Sequence, residues 1–382
     1  MKLKDCCTII AGQSPESKYY NTDAVGLPFF QGKADFGELY PRIRVYCSQP
    51  TKIAEKDDIL LSVRAPVGPT NLAPCQVCIG RGLTAIRPSG ILNLKYVLFF
   101  FRFFEAQLQQ KGTGTTFNAI TQNIVKNLEI PVPSLAEQER IVARIEKLFS
   151  QLDAGVETLK KTKAQLAEYR QAVLKEAFSD LTEKKPIREM SSIVTSGSRG
   201  WAQYYADKGV RFIRITDLTR DGIQLKNDNI QYVALPDKVE GKRSRLLCGD
   251  VLVSITADLG SIALIPSNIE EAYINQHIAM MRFNNPAQGK FMAWYLRSAW
   301  GQKDLLKNKR GGGKLGLGLD DIRDTPVPVV SDEEAMKTVA FIDARLSICA
   351  SIEQTINTAL QQSEAMRQSI LKQAFNGGLK NV

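Results

Sequence analysis

The sequence predicts an α+β fold in which two similar globular domains are joined by two long antiparallel helices that pair as a coiled coil. Three observations favour this fold. The chain repeats its own plan, each copy ends in a long amphipathic stretch, and positive charge is concentrated between those stretches. The predicted segments are a first domain over 1–133, a central helix over 134–183, a second domain over 184–330 and a C-terminal helix over 331–382.

The first domain alternates short apolar runs with Gly, Pro and Asp clusters, which is typical of strands and turns. One such run, 59–63, follows Asp58. Apolar residues between Leu94 and Leu108 recur at three- and four-residue spacing, which predicts an amphipathic helix. These features indicate a mixed domain that ends at the Pro-Val-Pro stop, 131–133.

The second domain repeats the plan of the first. The run from Asp58 to Val63 reappears 192 positions later as Asp250 to Ile255, and Gly68 reappears at the same offset as Gly260. Three further matches at an offset of 195 pair Lys95 with Lys290, Arg102 with Arg297 and Gln107 with Gln302. The loops differ more than the strands and helices. This pattern predicts two copies of one fold whose loops recognise different targets.

Two long helices of equal length close the two halves. Each begins with a capping signature, Ser134 to Glu137 and Ser331 to Glu334, and continues with apolar residues at three- and four-residue intervals. Antiparallel packing would bury both apolar stripes without a long linker. A helix of about 45 residues would measure about 68 Å, close to two turns of B-DNA at about 34 Å each. The pair is therefore predicted to act as a ruler for a bipartite target.

The charge distribution separates the domains from the helices. The formal net charge is +10, of which residues 1–133 carry +5 and residues 184–330 carry +7, whereas each helical segment carries −1. A basic globular surface favours a polyanionic partner such as nucleic acid. The helices, with balanced charge, are not expected to form part of a surface that binds nucleic acid.

A cytoplasmic protein without a membrane segment is expected. The start of the chain lacks the apolar core of a signal peptide, and the longest apolar run, 94–104, is interrupted by Lys95 and Arg102. The seven cysteines are an odd number without regular spacing, which favours a reducing compartment.

Several segments combine into a family resemblance. They are Lys111 to Gly114, the segment Ile130 to Val142 that reads IPVPSLAEQERIV, the long helix after it, and the duplication of the whole plan. Together they resemble the specificity (S) subunits of type I restriction-modification systems over essentially the full chain. The second copy departs from the pattern, because Glu334-Ala335 stands where the family usually has Glu-Gln.

The resemblance implies a non-catalytic subunit that reads double-stranded DNA. Each domain would be a target recognition domain for one half of a split sequence, and the helices would set the spacing and dock two modification (methyltransferase) subunits. Restriction (endonuclease/translocase) subunits would complete the complex. No cofactor is expected in this chain, whereas S-adenosylmethionine, and ATP with Mg²⁺, are expected on the partners. Glu137 and Gln138 are the predicted partner-binding residues, with helix capping as the alternative role for Glu137.

No motif in the chain supports catalysis of its own. An adenine methyltransferase motif would need a Pro-Pro dipeptide, and the sequence contains none. The segment Pro236 to Lys242 has its carboxylates too close together for a two-strand nuclease site, so a solvated turn is expected there. The glycine loop 311–314 does not match a nucleotide-binding P-loop, although it could follow a DNA backbone.

Metal and nucleophile chemistry are also unsupported. Cys75 and Cys78 could form half of a zinc site, but no second pair of ligands follows at the required spacing, and inert buried thiols are expected. His277 is the only histidine, so the sequence offers no serine–histidine or cysteine–histidine pair, and a satisfied structural role is expected for it.

The candidate DNA-binding residues are basic, polar and aromatic side chains on predicted loops, because such groups read base edges and fix phosphates. In the first domain they are Ser14, Tyr19, Lys33, Arg42, Arg64, Arg81 and Lys111; in the second they are Arg199, Trp201, Tyr204, Arg214, Arg243, Gln276, Lys309, Arg310 and Lys314. Two other classes remain open at this point: an enzyme that modifies DNA alone, and a coiled-coil scaffold that does not touch DNA.

Overall fold

The computed structural model describes residues 1–111, 119–236, 242–307, 309–310 and 315–376. They form two compact units. The first comprises Met1–Leu159 together with the chain from Asn357 onward, and the second comprises Lys160–Ile356. Each unit therefore contains one globular part and a portion of both long helices.

Both long helices are 44 residues long, which confirms the predicted equality of length. In each, the serine hydroxyl accepts a hydrogen bond from the backbone N–H of the glutamate three residues later, at 3.3 Å from Glu137 to Ser134 and 3.2 Å from Glu334 to Ser331. The helices are α1 Leu3–Cys6, α2 Leu94–Gln110, α3 Gln122–Lys126, α4 Leu135–Phe178, α5 Ile187–Met190, α6 Gly289–Arg297, α7 Ala299–Leu305, α8 Leu319–Arg323 and α9 Asp332–Phe375.

The first unit contains two sheets. One is antiparallel with strand order β1-β9-β6-β7, and the other has the order β2-β4-β3-β8-β5 with β3 and β8 parallel. Its strands are β1 Cys7–Ala11, β2 Tyr20–Asn21, β3 Leu27–Phe30, β4 Tyr46–Cys47, β5 Ile53–Ala54, β6 Ile59–Ser62, β7 Thr70–Leu72, β8 Val77–Ile79 and β9 Leu83–Pro88.

The second unit repeats this topology except that its described residues contain no counterpart of β5, and the repeat confirms the predicted duplication. The order β11-β18-β15-β16 corresponds to the first antiparallel sheet, and β12-β14-β13-β17, with β13 and β17 parallel, corresponds to the second. The strands are β10 Lys184–Pro186, β11 Ser191–Ser196, β12 Tyr205–Ala206, β13 Val210–Ile213, β14 Tyr232–Val233, β15 Val251–Ser254, β16 Ile262–Leu264, β17 Ala272–Ile274, β18 Ile278–Phe283 and β19 Pro326–Pro328, which pairs with β10.

An ion pair between an arginine and a buried aspartate occupies the same place in both units. Asp58 is 2% exposed and Asp250 is 1% exposed, and each carboxylate accepts two hydrogen bonds from one arginine, Arg87 or Arg282. These bonds raise the pKa of both guanidinium groups, so the arginines stay charged. The repeated aspartate in the sequence therefore marks a structural ion pair that joins two strands.

The repeated glycines mark a turn that other residues would distort. Gly68 has a φ of 106° and Gly260 a φ of 84°, values that favour glycine. A Cβ atom on Gly68 would lie 2.7 Å from the Glu105 side chain, and one on Gly260 would lie 2.5 Å from the Gln302 side chain. The turn after β6 and β15 can thus pack closely against the following helix.

Portions of both long helices contribute to the core of each unit. In the first unit, Ile145 of α4 and Ile370 of α9 are buried in one cluster with α2, and Arg367 forms an ion pair with Asp153. In the second, Phe178 near the end of α4 and Ala335 near the start of α9 are buried in one cluster. The start of α4 thus lies beside the end of α9 in one unit, and the reverse holds in the other. The helices are antiparallel, as predicted.

An ion pair also anchors each globular part to its own long helix. Lys95 of α2 contacts Glu146 of α4 at 2.6 Å, and Lys290 of α6 contacts Asp343 of α9 at 2.5 Å. Within the described ranges, no helix is both long and apolar enough to cross a bilayer.

Candidate nucleic-acid interface

A basic cleft of about 530 Å³ opens on the first unit. Three of its side chains, Lys33, Arg64 and Arg81, are exposed cations that the sequence analysis selects as DNA-binding candidates. The described lining contains no carboxylate. It consists of Gln31, Gly32, Lys33, Ala34, Ser62, Arg64, Ala65, Pro66, Arg81 and Gly82.

The ends of three strands bring these cations together. Lys33 follows β3, Arg64 follows β6, and Arg81 lies in the turn between β8 and β9. The turn approaches β6 closely, because the Val63 N–H donates to the Gly82 carbonyl at 2.9 Å. A side chain at Gly82 would place its Cβ 2.2 Å from the Gln31 carbonyl oxygen, so glycine is required there.

Ser14 lies at the edge of the same cleft. Its hydroxyl oxygen accepts a hydrogen bond from the backbone N–H of Arg81 at 3.2 Å and one from the side-chain amide of Gln31 at 3.5 Å. The structure therefore brings four of the seven first-domain candidates into one region, and Ser14 positions the loop that carries Arg81.

The three cations of the cleft have no carboxylate bonded to them among the described residues, although the Glu105 carboxylate interacts electrostatically with Lys33. In the part of the chain that the structure describes, Lys33, Arg64 and Arg81 form no salt bridge, whereas the nearby Arg44 donates to the carboxylate of Asp35 at 2.5 Å. Unpaired cations on a concave surface can neutralise phosphates with little competition from the protein itself. The geometry suits the backbone of a nucleic acid.

The other first-domain candidates lie outside this lining. Tyr19 is half-buried and packs beside Phe29, with the Lys18 ammonium 4.9 Å from its ring centre. Arg42 is exposed, and Lys111 is exposed at the end of α2. Their predicted contacts with DNA stay predictions.

The second unit presents an equivalent surface with different side chains. The Ile255 N–H donates to the His277 carbonyl at 2.9 Å, which is the counterpart of the bond from Val63 to Gly82. By this correspondence, Thr256 occupies the place of Arg64 and Gln276 that of Arg81. The same strand ends thus carry two cations in one unit and a hydroxyl and an amide in the other.

These polar groups form a hydrogen-bonded chain. The Thr256 hydroxyl lies 2.7 Å from His277 Nδ1, and the Gln276 amide nitrogen lies 2.9 Å from His277 Nε2. Both ring nitrogens have partners, as the sequence analysis expects for a structural histidine. All three side chains are partly accessible to solvent.

Two second-domain candidates are used inside the fold. Trp201 is only 4% exposed and packs against Phe212 and Tyr273, so its indole ring cannot stack on a base in this conformation. The half-buried Arg214 guanidinium donates to the Asn229 carbonyl at 2.7 Å. For Trp201 the structure contradicts the predicted surface role, because burial already occupies its side chain. Arg214 keeps part of its side chain exposed, and its contact with DNA stays a prediction.

The remaining second-domain candidates are placed in several ways. Tyr204 is half-buried beside Trp201, and Arg199, Arg243 and Lys309 are exposed. Arg310 is also exposed, but it donates to the Asp321 carboxylate at 3.0 Å, which offsets its charge. Lys314 lies outside the described residues, as do loop residues 311–313 and most of the segment Pro236–Lys242.

The thiols and metal-capable groups offer no competing site among the described residues. Cys78 is buried, and desolvation raises the pKa of its thiol, which makes it less reactive. All seven cysteines are free. No three His, Cys, Asp or Glu side chains come together as metal ligands in the described ranges.

A comparison with protein families assigns both repeats. The family described as type I restriction modification DNA specificity domain matches residues 1–168 and 189–362. The chain belongs to this family. The two matched regions correspond to the two copies that the sheet topology reveals.

Individual relatives of this family match different shares of the chain. A specificity subunit assigned to the type I restriction enzyme MjaX of Methanocaldococcus jannaschii is 38% identical over 44% of this chain and 38% of its own length. The type I restriction enzyme EcoBI specificity subunit of Escherichia coli is 23% identical over 70% of this chain and 62% of its own length. The matches thus span less than two thirds of both relatives. A solved HsdS subunit from Thermoanaerobacter tengcongensis is 47% identical over 40% of this chain and 38% of that chain, with a TM-score of 0.38.

Gln138, a predicted partner-binding residue, is fully buried. Its amide nitrogen donates to the carbonyls of Ile91 and Pro133 at 3.0 and 2.9 Å, and its Oε1 accepts from the Asn93 N–H at 2.8 Å. The structure contradicts the exposed docking role, because this amide joins α4 to the start of α2. Glu137 forms a salt bridge with Arg140 at 2.9 Å, and its part in docking stays a prediction.

In the second copy, where Ala335 departs from the family pattern, another glutamine makes the hydrogen bond that Gln138 makes in the first copy. Ala335 occupies the place of Gln138 and is buried at 2% exposure. The amide of Gln288, in the loop before α6, donates instead to the Val330 carbonyl at 3.2 Å, the counterpart of the Pro133 carbonyl. The equivalent carbonyl thus accepts a hydrogen bond from a glutamine amide in both copies, from the long helix in the first and from the domain in the second.

Three side chains of the candidate interface are not predicted as part of it from the sequence. Gln31 lines the basic cleft, His277 is hydrogen-bonded to Gln276, and Thr256 is hydrogen-bonded to His277. The offset of 192 that relates Asp58 to Asp250 also relates Arg64 to Thr256, so applying the repeat to the loop residues would have found it. No comparable signal marks Gln31, since its role depends on the approach of a distant turn.

Proposed function

We propose that this chain is the DNA-specificity subunit of a type I restriction-modification complex, and that it is not itself an enzyme. Each unit would read one half of a bipartite double-stranded target. The observation that supports this function is that the two units present equivalent surfaces on the same backbone arrangement. The side chains differ: they are Lys33, Arg64 and Arg81 in the first unit and Thr256, Gln276 and His277 in the second.

Such a pair of surfaces suits recognition of two different half-sites. Arginine presents two donors that match the acceptors of guanine in the major groove, whereas glutamine presents one donor and one acceptor, which match adenine. The loops can therefore vary in chemistry while the strands that carry them keep their geometry.

The long helices would provide spacing and partner contacts. A 44-residue helix measures about 66 Å at about 1.5 Å per residue, close to two turns of B-DNA. Two modification subunits would dock on the exposed faces of the helices, and restriction subunits would join them. S-adenosylmethionine, and ATP with Mg²⁺, would bind those partners, and this chain would need no cofactor. The free thiols support a cytoplasmic location.

Reconstitution with the modification subunits tests the function directly. The complex is incubated with a duplex library that is randomised in two windows, and bound molecules are sequenced over a range of salt concentrations. We expect enrichment of a bipartite sequence and a steep loss of affinity with added salt. Binding without base preference would overturn the proposal. DNA methylation by this chain alone would indicate an enzyme, and a lack of DNA binding would indicate a scaffold.

A further inference from the structure

We propose that Gln276 reads an adenine in the half-site of the second unit, and that His277 is the positioning residue that orients its amide. This inference rests on the proposed function, and it assigns a base to one position of the target. It follows from the placement of Gln276, from its hydrogen bonds and from the contrast with Arg81.

The fold presents Gln276 in a partly accessible connection between the two sheets of the second unit. It lies in the short connection between the buried strands β17 and β18, beside the end of β15. The bond from the Ile255 N–H to the His277 carbonyl fixes this connection. The side chain is partly accessible, so a nucleic acid on this surface can reach it.

The hydrogen-bonded chain determines the orientation of the amide. An amide nitrogen can only donate, so the contact at 2.9 Å from Gln276 Nε2 makes His277 Nε2 the acceptor. The ring proton is then on Nδ1, where it donates to the Thr256 hydroxyl at 2.7 Å. Thr256 and His277 together restrict rotation of the glutamine side chain, which lowers the entropy lost on binding.

The free edge of the amide matches one base. One Nε2 hydrogen is used by His277, which leaves Oε1 and the second Nε2 hydrogen; among the described residues, no further hydrogen bond occupies the Gln276 side chain. This acceptor and donor complement N6 and N7 of adenine. Guanine presents two acceptors at the same edge, so Oε1 would face O6 and remain unpaired.

The first unit carries a different group at the corresponding place. Arg81 lies between β8 and β9 as Gln276 lies between β17 and β18, and its guanidinium offers only donors. A change at Gln276 should therefore alter the base preference in one half-site and leave the other unaffected. This contrast supplies an internal control in every measurement.

The experiment uses the full chain in complex with its modification subunits and the duplex library randomised in two windows. For the wild-type complex we expect adenine at one position of one half-site to give roughly five- to 150-fold higher affinity than another base there. Gln276→Ala should abolish that preference, and His277→Ala should reduce it. Gln276→Glu should shift the preference at the same position toward cytosine, whose N4 amino group donates to a carboxylate.

Arg44→Ala is the control, because Arg44 is an exposed arginine of the first unit outside the basic cleft whose charge the Asp35 carboxylate offsets. It should leave the adenine preference intact, and the unaltered half-site in each Gln276 variant shows that the variant is folded. If Gln276→Ala and Gln276→Glu keep every base preference of a bipartite wild-type site, the assignment fails while the proposed function stands. If the wild type shows no base preference in either window, the proposed function itself fails.

Discussion

The basic cleft makes a quantitative prediction for salt dependence. Lys33, Arg64 and Arg81 are exposed and free of salt bridges among the described residues, so each can neutralise one phosphate. Each phosphate contact contributes about −0.9 to the slope of log affinity against log salt concentration. Replacing all three cations by alanine should therefore make the slope less negative by about 2.7.

This change in slope is large enough to measure. Between about 50 and 200 mM salt, a slope difference of about 2.7 means that the wild type loses roughly 40-fold more affinity for DNA than the triple variant does. The assay is equilibrium binding of the reconstituted complex to a fixed duplex at several salt concentrations. Single variants should each account for about one third of the effect.

Arg44→Ala is the appropriate control. Arg44 is an exposed arginine in the same unit, but the Asp35 carboxylate offsets its charge. Its removal should leave the slope nearly unchanged. An equal slope for the triple variant and the wild type, or an Arg44→Ala effect as large as that of a single cleft variant, would refute the assignment of the cleft to phosphate binding.

Three further predictions concern stability and titration. Arg282→Met leaves the buried Asp250 carboxylate without its partner and should lower the free energy of unfolding in urea by about 3–5 kcal/mol; an effect below about 1 kcal/mol would contradict this. Gln138→Ala leaves a buried N–H and carbonyls unpaired and should cost about 1–3 kcal/mol in the same assay, whereas a surface docking residue would cost almost nothing. The Arg220 guanidinium lowers the pKa of Asp258, so this pair stabilises the fold above the ordinary carboxyl pKa and loses its effect as pH falls through the lowered value. In Arg220→Ala, an NMR titration should show the Asp258 pKa raised toward its ordinary value, and an unchanged pKa would exclude the ion pair.

The fold could be predicted largely because the chain contains it twice. The repeated Asp58 and Gly68 mark a structural ion pair and a tight turn, and both occur again at Asp250 and Gly260. Local patterns also sufficed for the long helices, since capping serines and apolar periodicity act over a few residues. Because the chain holds two copies, each element predicted in one half is supported by the matching element in the other.

The site was less accessible to sequence reasoning, because it depends on contacts between distant segments. The sequence indicates Lys33, Arg64 and Arg81 one at a time, but only the arrangement of strand ends brings them to one cleft. Residue type also fails to distinguish surface from interior. Trp201 and Gln138 have side chains that suit an interface, yet the first fills a core and the second satisfies buried backbone groups.

The two copies satisfy one equivalent backbone carbonyl with different glutamines, and this difference restricts how halves of the protein can be recombined. Gln138 extends from the long helix in the first copy, and Gln288 extends from the domain in the second. A chimera that joins the first domain to α9 would have neither amide, whereas one that joins the second domain to α4 would have two competing for one place. Exchange of a domain should therefore succeed only when the junction is moved beyond position 138 or 335, so that each domain keeps the first turns of its own helix.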